Sequence, residues 1–201
     1  IFASTCRIYD MAKDEPIDEE HRIKPSSPYA ASKVAAESFV QSFHHAYGLR
    51  TVVLRPFNCY GPRQSFGAYG GVIARFIHKA LRNKPIPIYG DGEQTRDLLY
   101  AMDCARAFLT ATKNIAANGE ILNIGSGTDI RIKDLAEMIV SLIPTKSRLV
   151  HVPHPHPQSE IQKLLCDHSK VQRTLDWKPE FTLREGLKET IKWLRVGLPK
   201  A

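Results

Sequence analysis

Apolar positions along this chain fall into alternating helical and strand rhythms. Val34, Ala35, Phe39, Val40 and Phe43 stand three and four apart, the spacing of one helix face, and predict a helix over 29–47. Serines at 26 and 27 can cap its start, Pro28 suits a first helical position, and Gly48 stands where a C-terminal cap belongs. Before it, residues 1–5 read as the end of a strand, and 6–27 carry charge and prolines without periodicity, as a surface loop does. After it, Thr51-Val52-Val53-Leu54 is an unbroken apolar, β-branched run suited to a buried parallel strand within 50–56.

The later rhythm predicts a helix over 72–81 and a short strand over 86–89. That strand is edge-like, because Pro87 cannot donate to a ladder. A turn follows at 90–92, then a strand over 96–100, a helix over 103–112, a strand over 120–124 and a helix over 132–143. The proline- and histidine-rich stretch 151–158 breaks the regularity, and helices over 169–175 and 183–194 close the chain. Strands alternating with helices predict an α/β fold with a parallel sheet. No internal repeat or low-complexity tract interrupts it.

Length and composition narrow the class. The 201 residues suffice for a buried core, and 24% charged with 43% hydrophobic residues are globular values. A formal charge of +7 and a pI near 9.3 raise the question of nucleic acid. The basic residues are scattered, however, and no aromatic-basic RNA motif is present, so nucleic acid is not expected; a phosphate-bearing small molecule would use the positive charge equally well. Cys6, Cys59, Cys104 and Cys166 have neither CxxC nor metal-ligand spacing and read as free thiols in a reducing compartment. No apolar run nears the roughly 20 residues of a membrane helix, and no signal peptide is visible; a cytoplasmic protein without membrane contact is expected.

The candidate chemistry centres on Tyr29 and Lys33. Four residues make about one helical turn, so both lie on one face, and an ammonium beside a phenol favours the phenolate, a usable base. The spacing alone is weak evidence, since Tyr9 and Lys13 repeat it. That second pair lies among Asp10, Asp14 and Glu15 ahead of Pro16, where a loop is expected.

Further motifs stand in one order along the chain: Ser4-Thr5 at a strand end, Tyr29-Ala-Ala-Ser-Lys33, Leu54-Arg55-Pro56-Phe57-Asn58-Cys59-Tyr60-Gly61-Pro62-Arg63, Tyr89-Gly90-Asp91-Gly92-Glu93-Gln94-Thr95-Arg96-Asp97 and Leu122-Asn123-Ile124-Gly125-Ser126-Gly127. In this the chain resembles the NAD-dependent sugar-nucleotide epimerase/dehydratase family of extended short-chain dehydrogenases, of the UDP-glucose 4-epimerase type, over about residues 1–194. The resemblance implies the C-terminal part of a Rossmann-type parallel sheet plus a smaller mixed α/β substrate-binding region. Residues 1–61 would be the later part of the NAD-binding domain, with strand 120–125 returning to it, and 62–201 mostly the substrate-binding region. It implies Thr5, Tyr29 and Lys33 as the catalytic trio, with Tyr9 structural. Tyr29, Lys33 and Pro56 would face the NAD cofactor, Lys33 through the nicotinamide ribose. Asn58, Arg63, the backbone at Val72 and Arg96 would hold the nucleotide sugar, Arg96 by its diphosphate. Homodimers through the helix bearing Tyr29 are a further implication.

Three departures from the family pattern matter. The GxxGxxG dinucleotide fingerprint is absent, so the first Rossmann strands are expected to lie outside this sequence, and the chain alone is expected to bind NAD poorly and to be inactive. Cys6 and Arg7 occupy the positions where family dehydratases carry Asp-Glu, which favours epimerase over dehydratase chemistry. Where epimerases supply a late arginine, this chain has His154-Pro155-His156-Pro157-Gln158-Ser159-Glu160, so Gln158 becomes a substrate-binding candidate. Proline between His151, His154 and His156 restricts convergence, and no metal is expected. The alternatives are a dehydratase or reductase of the same family, or a catalytically incomplete fragment that binds a sugar nucleotide.

Overall fold

The computed structural model describes residues 1–10, 16–65, 71–154 and 162–197. In chain order its elements are β1 (Phe2–Ala3), a 3-10 turn (Cys6–Ile8), α1 (Pro28–Tyr47), β2 (Val53–Pro56), β3 (Cys59–Tyr60), α2 (Val72–Leu81), β4 (Ile86–Tyr89), β5 (Thr95–Asp97), β6 (Leu99–Tyr100), α3 (Ala101–Lys113), a second 3-10 turn (Ile115–Ala117), β7 (Ile121–Ile124), β8 (Asp129–Arg131), α4 (Ile132–Leu142), β9 (Leu149–Val152), α5 (Ser169–Leu175) and α6 (Leu183–Gly197). β1, β2 and β7 form a parallel sheet in that order, with Ala3 beside Leu54 and Leu54 beside Leu122. This is the expected α/β architecture, with Val53, Leu54, Leu122 and Ile124 of the sheet all buried. One face packs Val52, Leu54, Leu122 and Ile124 against Ala107 and Ala111 of α3, Val171 and Leu175 of α5, and Trp177. A second core joins α2, β4, α4 and α6 through Phe76, Ile77, Ile88, Leu135, Ile139, Leu187 and Ile191.

The helix ends follow local chemistry. Ser27 Oγ accepts from Ala30 N–H at 3.2 Å, Pro28 opens α1, and Gly48 closes it at φ 65, a left-handed conformation that a Cβ disfavours. The apolar stripe of α1 is largely unburied: Ala30 and Glu37 are its buried residues, while Phe39 and Tyr47 are 67% and 75% exposed.

Four sequence expectations change. The strand expected over 96–100 is two strands with Leu98 between them: β5 pairs antiparallel with β8, and β6 pairs parallel with β3. β8 was not foreseen, and part of the stretch read as irregular belongs to β9, which pairs parallel with β4. The helix expected over 103–112 runs from Ala101 to Lys113. Finally, 6–27 is not wholly a surface loop. Cys6, Ile8, Tyr9 and Ile17 are buried against Phe57, Leu164 and Cys166, and Ile17 makes a parallel bridge to Cys166.

No helix among the described residues is long and apolar enough to cross a membrane.

Candidate active site

Thr5 and Pro56 both lie just past the pairing of Ala3 with Leu54, at the carboxyl ends of parallel strands, where open α/β sheets bind ligands. Ser4 N–H continues the ladder by donating to Leu54 C=O at 2.8 Å. Thr5 then caps the following 3-10 turn, its Oγ1 accepting from Arg7 N–H at 3.2 Å. Helix α1 packs beside this turn. Its first turn holds Tyr29 half-exposed, and one turn on, Lys33 Nζ donates to Ala3 C=O at 2.9 Å and stands 5.8 Å from the Tyr29 ring centroid. The structure therefore gathers Thr5, Tyr29, Lys33 and Pro56 around the carboxyl end of β1 and β2.

A buried polar network fixes α1 against that edge. Arg55 donates from Nε and Nη2 to the two oxygens of Glu37 at 3.0 and 2.7 Å, and from Nη1 to Tyr9 Oη at 2.7 Å. Tyr9 in turn donates to Asn123 Oδ1 at 2.7 Å, and Asn123 Nδ2 donates to Ile17 C=O. Tyr9 is 2% exposed, and burial pushes its phenol well above the usual range despite the neighbouring Arg55. It is a structural tyrosine tying α1, β2 and β7 together. Its sequence partner Lys13 lies outside the described residues.

Beside the sheet edge opens a cleft of about 430 Å³. Asn58, Val72 and Arg96, three of the expected substrate residues, line it, together with Arg7, Gln64, Arg75, Tyr89, Gln94 and His154. Among the described residues no aspartate or glutamate lines this cleft. Asn58 Nδ2 donates to Asp97 C=O at 2.9 Å, and Arg96, 7% exposed, donates from Nη1 to Thr95 C=O at 2.6 Å. Arg63 stands elsewhere, exposed in a left-handed backbone conformation at φ 68 and outside the lining. Gln158 lies outside the described residues. His151 Nδ1 is 2.8 Å from Gly90 C=O, the His154 ring meets the Tyr89 ring, and His156 is outside the described residues.

The glycine-containing end of β7 does not serve this cleft. Ser126 N–H and Oγ donate to Asp97 Oδ1, both at 2.7 Å, while Gly127 N–H at 2.9 Å and Cys166 N–H at 3.2 Å donate to Oδ2. An internal carboxylate thus takes the amides that a phosphate would need. Burial raises the Asp97 carboxyl above its ordinary value, with those donors acting in the opposite direction. Cys6, which follows Thr5, is 2% exposed, and burial pushes its thiol to about 11; Arg7 takes the place at the cleft wall.

Sequence reading missed Arg7 as a cleft residue, and Gln64, Arg75 and Tyr89 altogether. Tyr89 lay inside a quoted motif, and its position before the Gly-Asp-Gly turn was the available signal. Arg75 carried none beyond its place in the first turns of α2.

A Tyr-x-x-x-Lys helix packed beside the end of a parallel sheet, with a threonine just past the first strand and an arginine-lined cleft nearby, defines an extended short-chain dehydrogenase. The chain belongs, within that class, to the sugar-nucleotide epimerase/dehydratase family: the family model described as GDP-mannose 4,6 dehydratase matches residues 1–190. It is 36% identical over 201 residues to human dTDP-D-glucose 4,6-dehydratase, covering 97% of this chain and 56% of that protein. The X-ray structure of Pal from Bacillus thuringiensis is 50% identical with a TM-score of 0.92, covering 98% of this chain and 62% of that one. UDP-glucuronic acid 4-epimerase from Bacillus cereus, solved in complex with UDP-glucuronic acid and NAD, is 29% identical with a TM-score of 0.85, covering 98% and 61%. The chain therefore spans 56–62% of the length of these relatives.

Proposed function

We propose that this chain carries the catalytic and substrate-binding part of an NAD-dependent sugar-nucleotide epimerase that inverts a sugar carbon through a transient 4-keto sugar. The observation that carries the reading is the pair that follows Thr5: Cys6, a buried thiol, and Arg7, a guanidinium at the cleft wall, stand where water elimination needs an acid and a base, and no carboxylate is among the described lining residues. Redox-neutral exchange at C4 asks for one base. Tyr29 takes that role, removing the C4 hydroxyl proton with Thr5 bridging, and Lys33, held by Ala3 C=O, keeps a cation beside the phenol. NAD, when bound, supplies the acceptor and donor of hydride at C4. Tyr29, Lys33 and Pro56 would hold its nicotinamide end, and sequence outside these 201 residues would hold its diphosphate, for which this chain has no GxxGxxG loop.

Asn58, the start of α2 at Val72 and Arg96 hold the nucleotide sugar in this reading, and Arg63 is left out of it. The boundary between cofactor and substrate regions falls near residue 61, with β7 returning to the first. A second copy of the chain pairs along α1, a role supported by its exposed Phe39, Phe43 and Tyr47. The test is to incubate the enzyme carrying this sequence, with NAD, against UDP-, dTDP- and GDP-sugars and weigh the products. An epimerase returns an isomer of unchanged mass. A product lighter by one water establishes a dehydratase and overturns the proposal.

A further inference from the structure

Helix α2 begins in the cleft with charges of the wrong sign for a helix start. Its cap, Gly71, offers no side-chain hydrogen bond, and its first turn holds no acidic residue. Gly71, Val72 and Ile73 all line the cleft, so amide N–H groups that such a turn leaves without intrahelical partners lie at its wall. Two residues further, Arg75 adds a full positive charge where the helix dipole already favours an anion. Its Nε is buried and has no hydrogen-bond partner. Its guanidinium stands 5.9 Å from the Tyr89 ring centroid, and that ring meets His154. A buried donor left unmatched is destabilising, because it has given up water without gaining a partner. A single doubly charged anion in the cleft would answer both the bare helix start and the orphaned Nε.

We infer that Arg75 is a substrate-binding residue, holding the diphosphate of the nucleotide sugar against the start of α2. The inference rests on the reading of the cleft given above and adds to it a cation that the sequence motifs did not mark. The planar fork of arginine suits this role, because it can reach a phosphate oxygen through Nε and one terminal nitrogen while its face remains against Tyr89. Gln64, whose Oε1 is also buried without a partner at the cleft wall, offers an acceptor to a hydroxyl of the same ligand.

The test is calorimetric titration of the enzyme that carries this sequence with UDP, dTDP and GDP in turn, alongside the matching nucleosides, for wild type, Arg75→Gln and Arg75→Lys. The expected result is that one nucleoside diphosphate binds the wild type and binds Arg75→Gln at least tenfold more weakly. Arg75→Lys should fall between, because it keeps the charge and loses the fork. Nucleoside binding should change less than twofold, which separates a lost phosphate contact from a disturbed fold. Equal affinity of wild type and Arg75→Gln for the diphosphate overturns the inference and leaves the function standing. A wild type that binds none of the three diphosphates overturns the nucleotide-sugar reading and this inference together.

Discussion

The buried pair Glu37–Arg55 is the sharpest test of how this site is held. Glu37 lies two helical turns beyond Tyr29 on α1, so the pair fixes the helix that presents the base. Glu37 is 5% and Arg55 2% exposed, and their contact is bidentate at 2.7 and 3.0 Å. Glu37→Leu strands two guanidinium donors in the core, while Arg55 Nη1 retains Tyr9 Oη. Removing one partner of such a pair costs about 3–5 kcal/mol, which in a chain of this size lowers Tm by roughly 6–20 °C. The double variant Glu37→Leu/Arg55→Met removes the stranded charge as well, so it should be at least about 1 kcal/mol more stable than Glu37→Leu alone. Urea unfolding of the 201-residue chain, followed by circular dichroism, measures both. A Glu37→Leu cost below about 1 kcal/mol, or a double variant whose cost equals the sum of the single variants, refutes the argument.

Other outcomes follow from the same structure. Alkylation of the folded chain near pH 8 should modify Cys104 first, because a hydrogen bond from Cys59 lowers its thiol, and should spare Cys6 and Cys166, whose thiols burial raises, until the chain unfolds; peptide mapping reads the order. Gly125→Ala should cost about 1–3 kcal/mol in urea unfolding, since its Cβ would fall on Cys166 and within 2.9 Å of Asp97 Oδ2. Because burial raises the Asp97 carboxyl, its contribution to stability is complete below the unfolded value near 4 and is lost as pH rises through the folded value. Unfolding titrations from pH 4 to 7 should therefore show this component in the wild type and not in Asp97→Asn.

The sequence carried the local half of this structure. Ser27, Pro28 and Gly48 announced both ends of α1, and the periodicity of 72–81 matched α2 residue for residue. What it did not carry depends on distant partners. β8 is three largely polar residues whose extended form rests on β5, and β9 rests on β4, about sixty residues away. Ile8, Tyr9 and Ile17 are scattered among charged residues and become core only because Phe57, Leu164 and Cys166 fold over them. At the site, Tyr29, Lys33 and Arg96 stood in recognisable strings. Arg75 on an amphipathic helix reads as a solvated arginine until the cleft beside it is seen.

Tyr29→Phe in the NAD-loaded enzyme that carries this sequence separates proton transfer from binding when nucleotide-sugar turnover and nucleotide-sugar affinity are measured side by side. Turnover should be abolished while affinity changes little, because the phenol moves a proton and the cleft lined by Arg75, Asn58 and Arg96 does the binding. Turnover at the wild-type rate would show that Tyr29 is not the base.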